Sequence, residues 1–559
     1  MLFNSQQFAA FFVVVYAAYW LLARRLRAQN LLLLGASWFF YGCWDIRFLF
    51  LAIFSSILDF YCALMIDTGR ISARSRAVGS LLLLLSAFLL VTVQWKAEEV
   101  AVSASASASG LAVDWGRLLG NRLGWEVFAG VVAGVVLANA IYPAASRMPE
   151  GSRRRAFIAS SVTGQLVILG FFKYFNFFAG NFAAWYESVF GRPPDMVTLK
   201  VVLPVGISFY TFQSMSYTID VYRRLMPATR SLIDFSAFVS FFPQLVAGPI
   251  ERAHHMLPQF QRLRRPVGRE GFREGCWLIA WGLYKKMVVA DNMAIIVNAA
   301  FGEFDQLRDS VAVPHDGLRL LLAVYAFAVQ IYCDFSGYSD IARGTAKLLG
   351  FDIMVNFNLP YFATSPSSFW RRWHISLSTW LRDYLYISLG GNRGGTGRMY
   401  RNLVLTMVLG GLWHGAAWTF VLWGTYHGLL LVAYRVAGVR TEDRAYSRGL
   451  TALLGLLMFH LTCFGWLLFR ARNLTTVAVF VQAIALHPHG SPATVAALRD
   501  FCFYGWFFAV FEVIQARAGT FDPMPRWPWY VQLNVWMMIF MSIVALTPST
   551  PTTFIYFAF

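Results

Sequence analysis

Two stretches gather side chains capable of acid–base chemistry inside an otherwise apolar chain. From Ser368 to Asn392 the sequence reads SFWRRWHISLSTWLRDYLYISLGGN, and from Asn402 it reads NLVLTMVLGGLWHGAAWTFVLWGTYHG. His414 lies in the second, between Gly410, Gly411 and Gly415, which permit a broken helix and close backbone approach. In dry surroundings the uncharged imidazole is the stable form, and it can take a proton from a hydroxyl and stabilise the attack that follows. The same residue could instead bridge helices by hydrogen bonding, and composition does not decide between the two. In the first stretch, helical spacing places Trp370, Trp373, His374, Leu377, Trp380, Leu381, Tyr384 and Leu385 on one face. Arg371, Arg372, Ser378, Arg382 and Asp383 fall elsewhere on the wheel. The spacing predicts an amphipathic segment too polar to span a bilayer. It would lie at the cytoplasmic interface or line a cavity, with His374 turned towards the interior. His254, His255, His315, His427, His460, His487 and His489 show no metal-ligand spacing and read as loop or packing residues. No G-x-S-x-G turn of a serine hydrolase is present.

The elements that must position these groups follow from composition. The chain has 559 residues, of which 58% are hydrophobic and only 14% charged. A soluble domain carries about 25% charged residues, so the fold class is all-α and the protein a polytopic membrane protein. A secreted disulfide scaffold, a nucleic-acid binder and a disordered tail are excluded. The net charge of +18 comes from arginines between apolar runs, where the positive-inside rule accounts for it. The six cysteines are scattered without a C-x-x-C pair and read as packing residues.

Topology follows from the basic loops. MLFNSQQ carries no basic residue before the first apolar run, while Arg24, Arg25 and Arg27 follow it, so the N-terminus is placed outside on an uncleaved helix. Further runs lie near 30–44, 47–66, 79–95, 125–146, 156–179, 200–222, 274–300, 317–334, 449–469, 500–517 and 529–547. With the first run this makes about twelve spans, with both termini outside. Asp234–Ile250, ending FFPQLVAGP between two basic flanks, fits a re-entrant segment better than a span. SASASASG at 103–110 reads as an external loop. The chain then divides into N-terminal helices (1–76), an inserted helix pair with an external loop (77–155), a core (156–474), C-terminal helices (475–547) and an external tail (548–559) ending FIYFAF.

At this point the residues resemble a known family. FWRRWHISLSTWLRDYLYISLGGNRGG followed by LGGLWHGAAWTFVLWGTYHG is similar to the membrane-bound O-acyltransferase (MBOAT) family, in its bacterial branch of alginate-acetylation (AlgI-like) and D-alanine-transfer (DltB-like) proteins. VLPVGISFYTFQSMSYTIDVYR from Val202, FFPQLVAGPIER from Phe241 and IYCDFSGYSDIARG from Ile331 support it, so that the likeness covers roughly residues 1–66 and 156–470. The resemblance implies the MBOAT fold: helices and re-entrant segments around a central funnel that narrows to a histidine. It places the family's histidine on His414 and its second polar position on His374. Arg371, Arg372, Trp373, Arg382, Asp383 and Asn392 are the expected donor-binding residues. The insertion at 77–155 departs from the family pattern. The ending Phe554-Ile555-Tyr556-Phe557-Ala558-Phe559 resembles the tail of the small DltX-like peptide that works beside the D-alanine-transfer member, where a tyrosine accepts the acyl group; here that residue is Tyr556. The plain alternative for this tail is an aromatic anchor at the membrane interface.

The implied activity is an acyltransferase, with acetyl as the expected group, in the bacterial inner membrane. Its donor would be acetyl-CoA or another acyl thioester, including an acyl carrier protein, with no bound cofactor and no metal. Membrane lipid surrounds it, no nucleic acid is involved, and a periplasmic SGNH-type acetyltransferase is the expected partner, because nothing in the chain reads as a polymer-binding domain. Two rivals remain at this point: direct transfer to a lipid or small glycan, and a non-catalytic transporter. No inverted repeat supports the transporter.

Overall fold

A computed structural model describes residues 1–94, 119–194, 202–245, 248–305, 314–439, 447–550, 552 and 554–555. Tyr556 and the SASASASG segment fall outside the described residues. Every regular element among the described residues is helical. The chain forms two compact units, one of residues 1–246 and 250–266 and the other of 247–249 and 267–559.

In the first unit the helices are α1 (Gln6–Leu21), α2 (Leu26–Asp45), α3 (Leu49–Asp67), α4 (Ala73–Ala87), α5 (Arg122–Ser146), α6 (Glu150–Leu169) and α7 (Phe175–Phe190). They are followed by α8 (Ile207–Tyr222), α9 (Leu232–Val239), α10 (Phe242–Leu245) and α11 (Ala253–Phe260). Helices α3, α6 and α8 meet around Asp59, which is fully buried. A carboxyl group there is tolerable only if its oxygens are hydrogen-bonded. Ser161 Oγ donates to it at 2.6 Å, Gln165 Nε2 at 2.8 Å, and the Ser214 hydroxyl also donates. This polar knot ties three membrane helices at one point. The Asp234–Ile250 segment forms α9 and α10, of eight and four residues, both far too short to cross a bilayer.

The second unit contains α12 (Arg269–Leu283), continued through a wider turn at Tyr284–Ala290 into α13 (Asp291–Asp305), then α14 (Gly317–Leu348). Next come the short α15 (Pro366–Trp370) and α16 (Ile375–Trp380), then α17 (Thr396–His414) and α18 (Trp418–Val436). Helices α19 (Arg448–Arg470), α20 (Leu474–Leu486), α21 (Pro492–Ala518) and α22 (Trp529–Leu546) complete it. Two glycine seams hold this unit together. Gly275 and Gly282 of α12 face Gly344 and Gly337 of α14, so that a Cβ on Gly282 would lie 2.5 Å from the Gly337 carbonyl oxygen and one on Gly344 would lie 2.6 Å from that of Gly275. In hydrocarbon, where no hydrophobic force joins helices, such backbone approach is a main source of packing energy. The second seam joins α17 to α18, antiparallel about His414: Gly411 abuts the Phe420 carbonyl, Gly424 that of Met407, and Gly428 the Cα of Val404.

Nine helical stretches among the described residues are long and apolar enough to span a membrane, where the sequence suggested about twelve. The difference lies in three places. The runs at 30–44 and 47–66 form a single 42-residue apolar stretch, Leu26–Asp67, bent at Asp45, whereas α1 and α8 have 16 residues each and fall short by length. Helix α14 runs to Leu348, well past the expected end at 334. Large apolar side chains such as Val136, Leu137, Phe540 and Val544 are exposed, as lipid-facing residues must be.

The second glycine seam yields a test. Gly424→Ala places a methyl carbon 2.3 Å from the Met407 carbonyl oxygen, whereas a Cβ on Gly455 of α19 meets nothing within 4 Å. Thermal unfolding in detergent should show Gly424→Ala destabilised by about 1–3 kcal/mol. Gly455→Ala should be neutral or slightly stabilising, as helix propensity dictates.

Candidate active site

His414 is the last residue of α17, and the chain then leaves the helix: Gly415 is extended at φ −160°, ψ 151°, and Ala417 likewise caps α18. A side chain at 415 would collide with the Phe420 ring, since a Cβ there would lie 2.1 Å from it. The break expected from the flanking glycines is therefore present, and it turns the chain so that one apolar run forms two antiparallel helices. The imidazole is buried, edge-on to Trp413, Trp423 and Phe469 at 5.0, 5.1 and 5.4 Å between ring centroids.

The expected single amphipathic face over 368–392 is not what forms. The helix stops at Trp370, and the chain turns through Arg371–Trp373 before restarting at Ile375. His374 occupies the break with φ 43°, ψ 53°, a left-handed conformation that costs a non-glycine residue of order 1 kcal/mol. The inward turn of His374 thus comes from a strained cap and not from helical periodicity, and its side chain is 1% exposed. Asn356 holds it in place. Asn356 Nδ2 donates to Ser339 Oγ at 3.3 Å, which directs Oδ1 towards His374 Nδ1, 3.1 Å away, and towards the Ser376 amide and hydroxyl. That arrangement puts the His374 proton on Nδ1 and the ring's lone pair on Nε2. The two imidazole centroids are 6.4 Å apart.

A cavity of about 290 Å³ reaches His414. Its wall is mostly apolar, with Trp370, Leu381, Met407 and Trp423, and it also includes Arg382, Asn392 and Arg435. From Trp423 to Arg435 along α18 the helical rise gives about 18 Å, so the cavity is elongated, with buried His414 on its lining and two exposed arginines farther along. Of the expected donor-binding residues, Arg382 and Asn392 are on this wall. Asp383 pairs with Arg382 at 2.7 Å. Trp373 is buried elsewhere, packed on Trp466 and Phe369, and Arg372 bonds the Asn358 carbonyl. Arg371 is not on the wall. Sequence reasoning missed Arg435 and Asn356. Arg435 closes an apolar run with no motif around it, and Asn356 is 18 residues from the histidine it orients.

The described part of the tail enters the same neighbourhood. Phe554 is fully buried and Ile555 nearly so. The Phe554 ring lies 4.3 Å from that of Tyr338 and 5.9 Å from that of Phe335, and Phe335 stands edge-on to His374 at 4.6 Å. Tyr556 is next in sequence and lies outside the described residues.

Fold and site together define a polytopic helical membrane protein with His414 on the lining of an arginine-bearing cavity and a second buried histidine, His374, 6.4 Å from it between ring centroids. Residues 222–464 match the MBOAT, membrane-bound O-acyltransferase family. A probable alginate O-acetylase AlgI of Pseudomonas aeruginosa is 47% identical over 327 residues, 58% of this chain and 60% of that protein. The corresponding protein of Pseudomonas putida is 44% identical over 360 residues, 63% of this chain and 70% of its own length. A peptidoglycan O-acetyltransferase of Helicobacter pylori is 35% identical over 346 residues, 57% of this chain and 63% of that protein. The chain belongs to the membrane-bound O-acyltransferase family.

Asn356→Ala would remove the acceptor that the Ser376 amide and hydroxyl and His374 Nδ1 share in a buried site. Chemical denaturation should show a loss of about 1–3 kcal/mol; a change within about 0.5 kcal/mol, the range of ordinary surface substitutions, would mean that Asn356 does not hold the cap.

Proposed function

We propose that this protein moves an acyl group, acetyl by its similarity to the alginate acetylases, from a cytoplasmic thioester across the bacterial inner membrane to an exported polysaccharide, with both termini outside. The observation that carries this reading is the burial of Phe554 and Ile555 beside the ring that contacts His374. A tail serving only as an interfacial anchor has no need of a buried slot against the ring that contacts His374. The tail is therefore read as a relay, with Tyr556 as acceptor.

In this reading the thioester arm lies along the cavity, with its phosphates near Arg382 and Arg435 and its acyl carbonyl near His414. His414 removes the phenolic proton of Tyr556 as the oxygen attacks the thioester carbonyl. The tetrahedral intermediate collapses by breaking the carbon–sulfur bond, and the imidazolium returns its proton to the departing thiolate. The products are an O-acyl-tyrosine and a free thiol. An aryl ester stays reactive, because a phenol, which ordinarily ionises near pH 10, is a good leaving group, so the acyl group can pass to a periplasmic SGNH-type transferase acting on the polymer. His374, fixed by Asn356, orients the acceptor or the donor carbonyl. The relatives' names support a polymeric acceptor, since they specify alginate and peptidoglycan.

His414→Ala, produced in cells without the wild-type gene, should cut polymer O-acetylation by about 10²–10⁴-fold, the usual contribution of a general base. Unchanged insertion and detergent stability must accompany the loss. Full acetylation by a folded His414→Ala protein would rule out this mechanism.

A further inference from the structure

Between α12–α13 and α14 lies a charged cluster that the catalytic reading does not use. Lys286 projects from the wider turn at Tyr284–Ala290 and is fully buried, as is Asp291, and Asp334 is 2% exposed. The ammonium is 2.9 Å from Asp291 Oδ1 and 2.8 Å from Asp334 Oδ1. One lysine and two carboxylates leave an excess negative charge with several unfilled acceptor positions, and in a membrane protein's interior that is costly unless further donors arrive. The donors come from the tail. The Thr552 hydroxyl bonds to Asp291, and the Ile555 amide donates to Asp334 Oδ2 at 2.7 Å. The ammonium also donates to the Thr552 carbonyl at 3.1 Å. Lys286 thus faces oxygens of Asp291, Asp334 and Thr552, and both carboxylates receive a tail donor.

We infer that Lys286, Asp291 and Asp334 form a dock that reads the tail's backbone at Thr552 and Ile555 and so sets the register in which the next residue, Tyr556, meets the histidines. The inference rests on the relay reading above and makes these three positioning residues. Two of the contacts use main-chain atoms of the tail, which fixes register irrespective of the side chains between. Phe554 between them fills the apolar slot against Tyr338 and Phe335. The tail is thus held by a polar clamp on its backbone and an aromatic wedge, a combination suited to an extended peptide and to no diffusible anion.

The test uses the full-length protein in detergent with two variants. Lys286→Met removes the centre of the dock, and Thr552→Val removes one tail donor while leaving the cluster itself intact. Hydrogen–deuterium exchange of the peptide covering 552–559 should accelerate about tenfold or more in each, as loss of a charge-assisted hydrogen bond requires, while peptides from α17 and α18 stay unchanged. Single-turnover acylation of Tyr556 should slow by about tenfold or more, with the donor's binding constant within about twofold of wild type, since the cavity for the thioester is untouched. Tail exchange and Tyr556 acylation at wild-type rates in both variants would overturn the dock. If tail exchange rises as expected but Tyr556 carries no acyl group even in the wild type, the dock stands and the relay reading fails.

Discussion

Helices α17 and α18 approach so closely that a single added methyl group would strike a carbonyl oxygen on the opposite arm of the hairpin, at Gly411 from Phe420 and at Gly424 from Met407. The placement of His414 depends on that contact. It forces the chain out of helical conformation at Gly415, places His414 at the apex of the turn, and lets Trp423 and Phe469 close around the imidazole. A histidine in the middle of an unbroken helix would be fixed by the rotamers of its own turn. At the apex it is fixed instead by the tertiary packing of two helices, which is the more rigid support.

His374 is built the opposite way. Its backbone is strained, and the strain is held by a network centred on Asn356 Oδ1. The two histidines therefore come from two unrelated local devices, a glycine seam and a left-handed cap, and α14 with the tail links His374 to the charged cluster of Lys286, Asp291 and Asp334. That cluster obeys the same constraint as Asp59 in the first unit: ionisable groups inside a membrane protein persist where their hydrogen-bonding capacity is met. At Asp59 the donors are side chains of neighbouring helices. At Lys286, Asp291 and Asp334 part of that capacity is met by the chain's own tail.

How much of this was legible depended on how local the cause was. The break at His414 could be read because the glycines responsible lie within four residues of it. The inward turn of His374 was expected for the wrong reason. Eight residues at helical spacing suggested one face, but the turn at Arg371–Trp373 interrupts the helix, and the agent holding His374, Asn356, carries no periodic signal. The expected count and the nine long apolar stretches among the described residues differ where apolarity and helix length part company, as in α8, whose 16 residues are nearly all buried in protein. Of the expected donor-binding residues, Arg382 and Asn392 line the cavity and Arg371, Arg372 and Trp373 do not, because the turn at Arg371–Trp373 separates neighbours in sequence into different surroundings. Lys286 and Asp291 drew no notice, because five residues apart they share no face of a regular α-helix. The wider turn at Tyr284–Ala290 brings them together.

The central claim is that the tail receives the acyl group at this histidine pair, and mass spectrometry addresses it most directly. Purified full-length protein would be incubated with isotopically labelled acetyl-CoA, or with the same acyl group on an acyl carrier protein, and the peptide containing Tyr556 analysed beside that of His414→Ala. The expected result is a labelled acetyl group on Tyr556 in the wild type and none in the variant. A wild-type protein that supports polymer acetylation yet leaves Tyr556 unlabelled with either donor would contradict the relay.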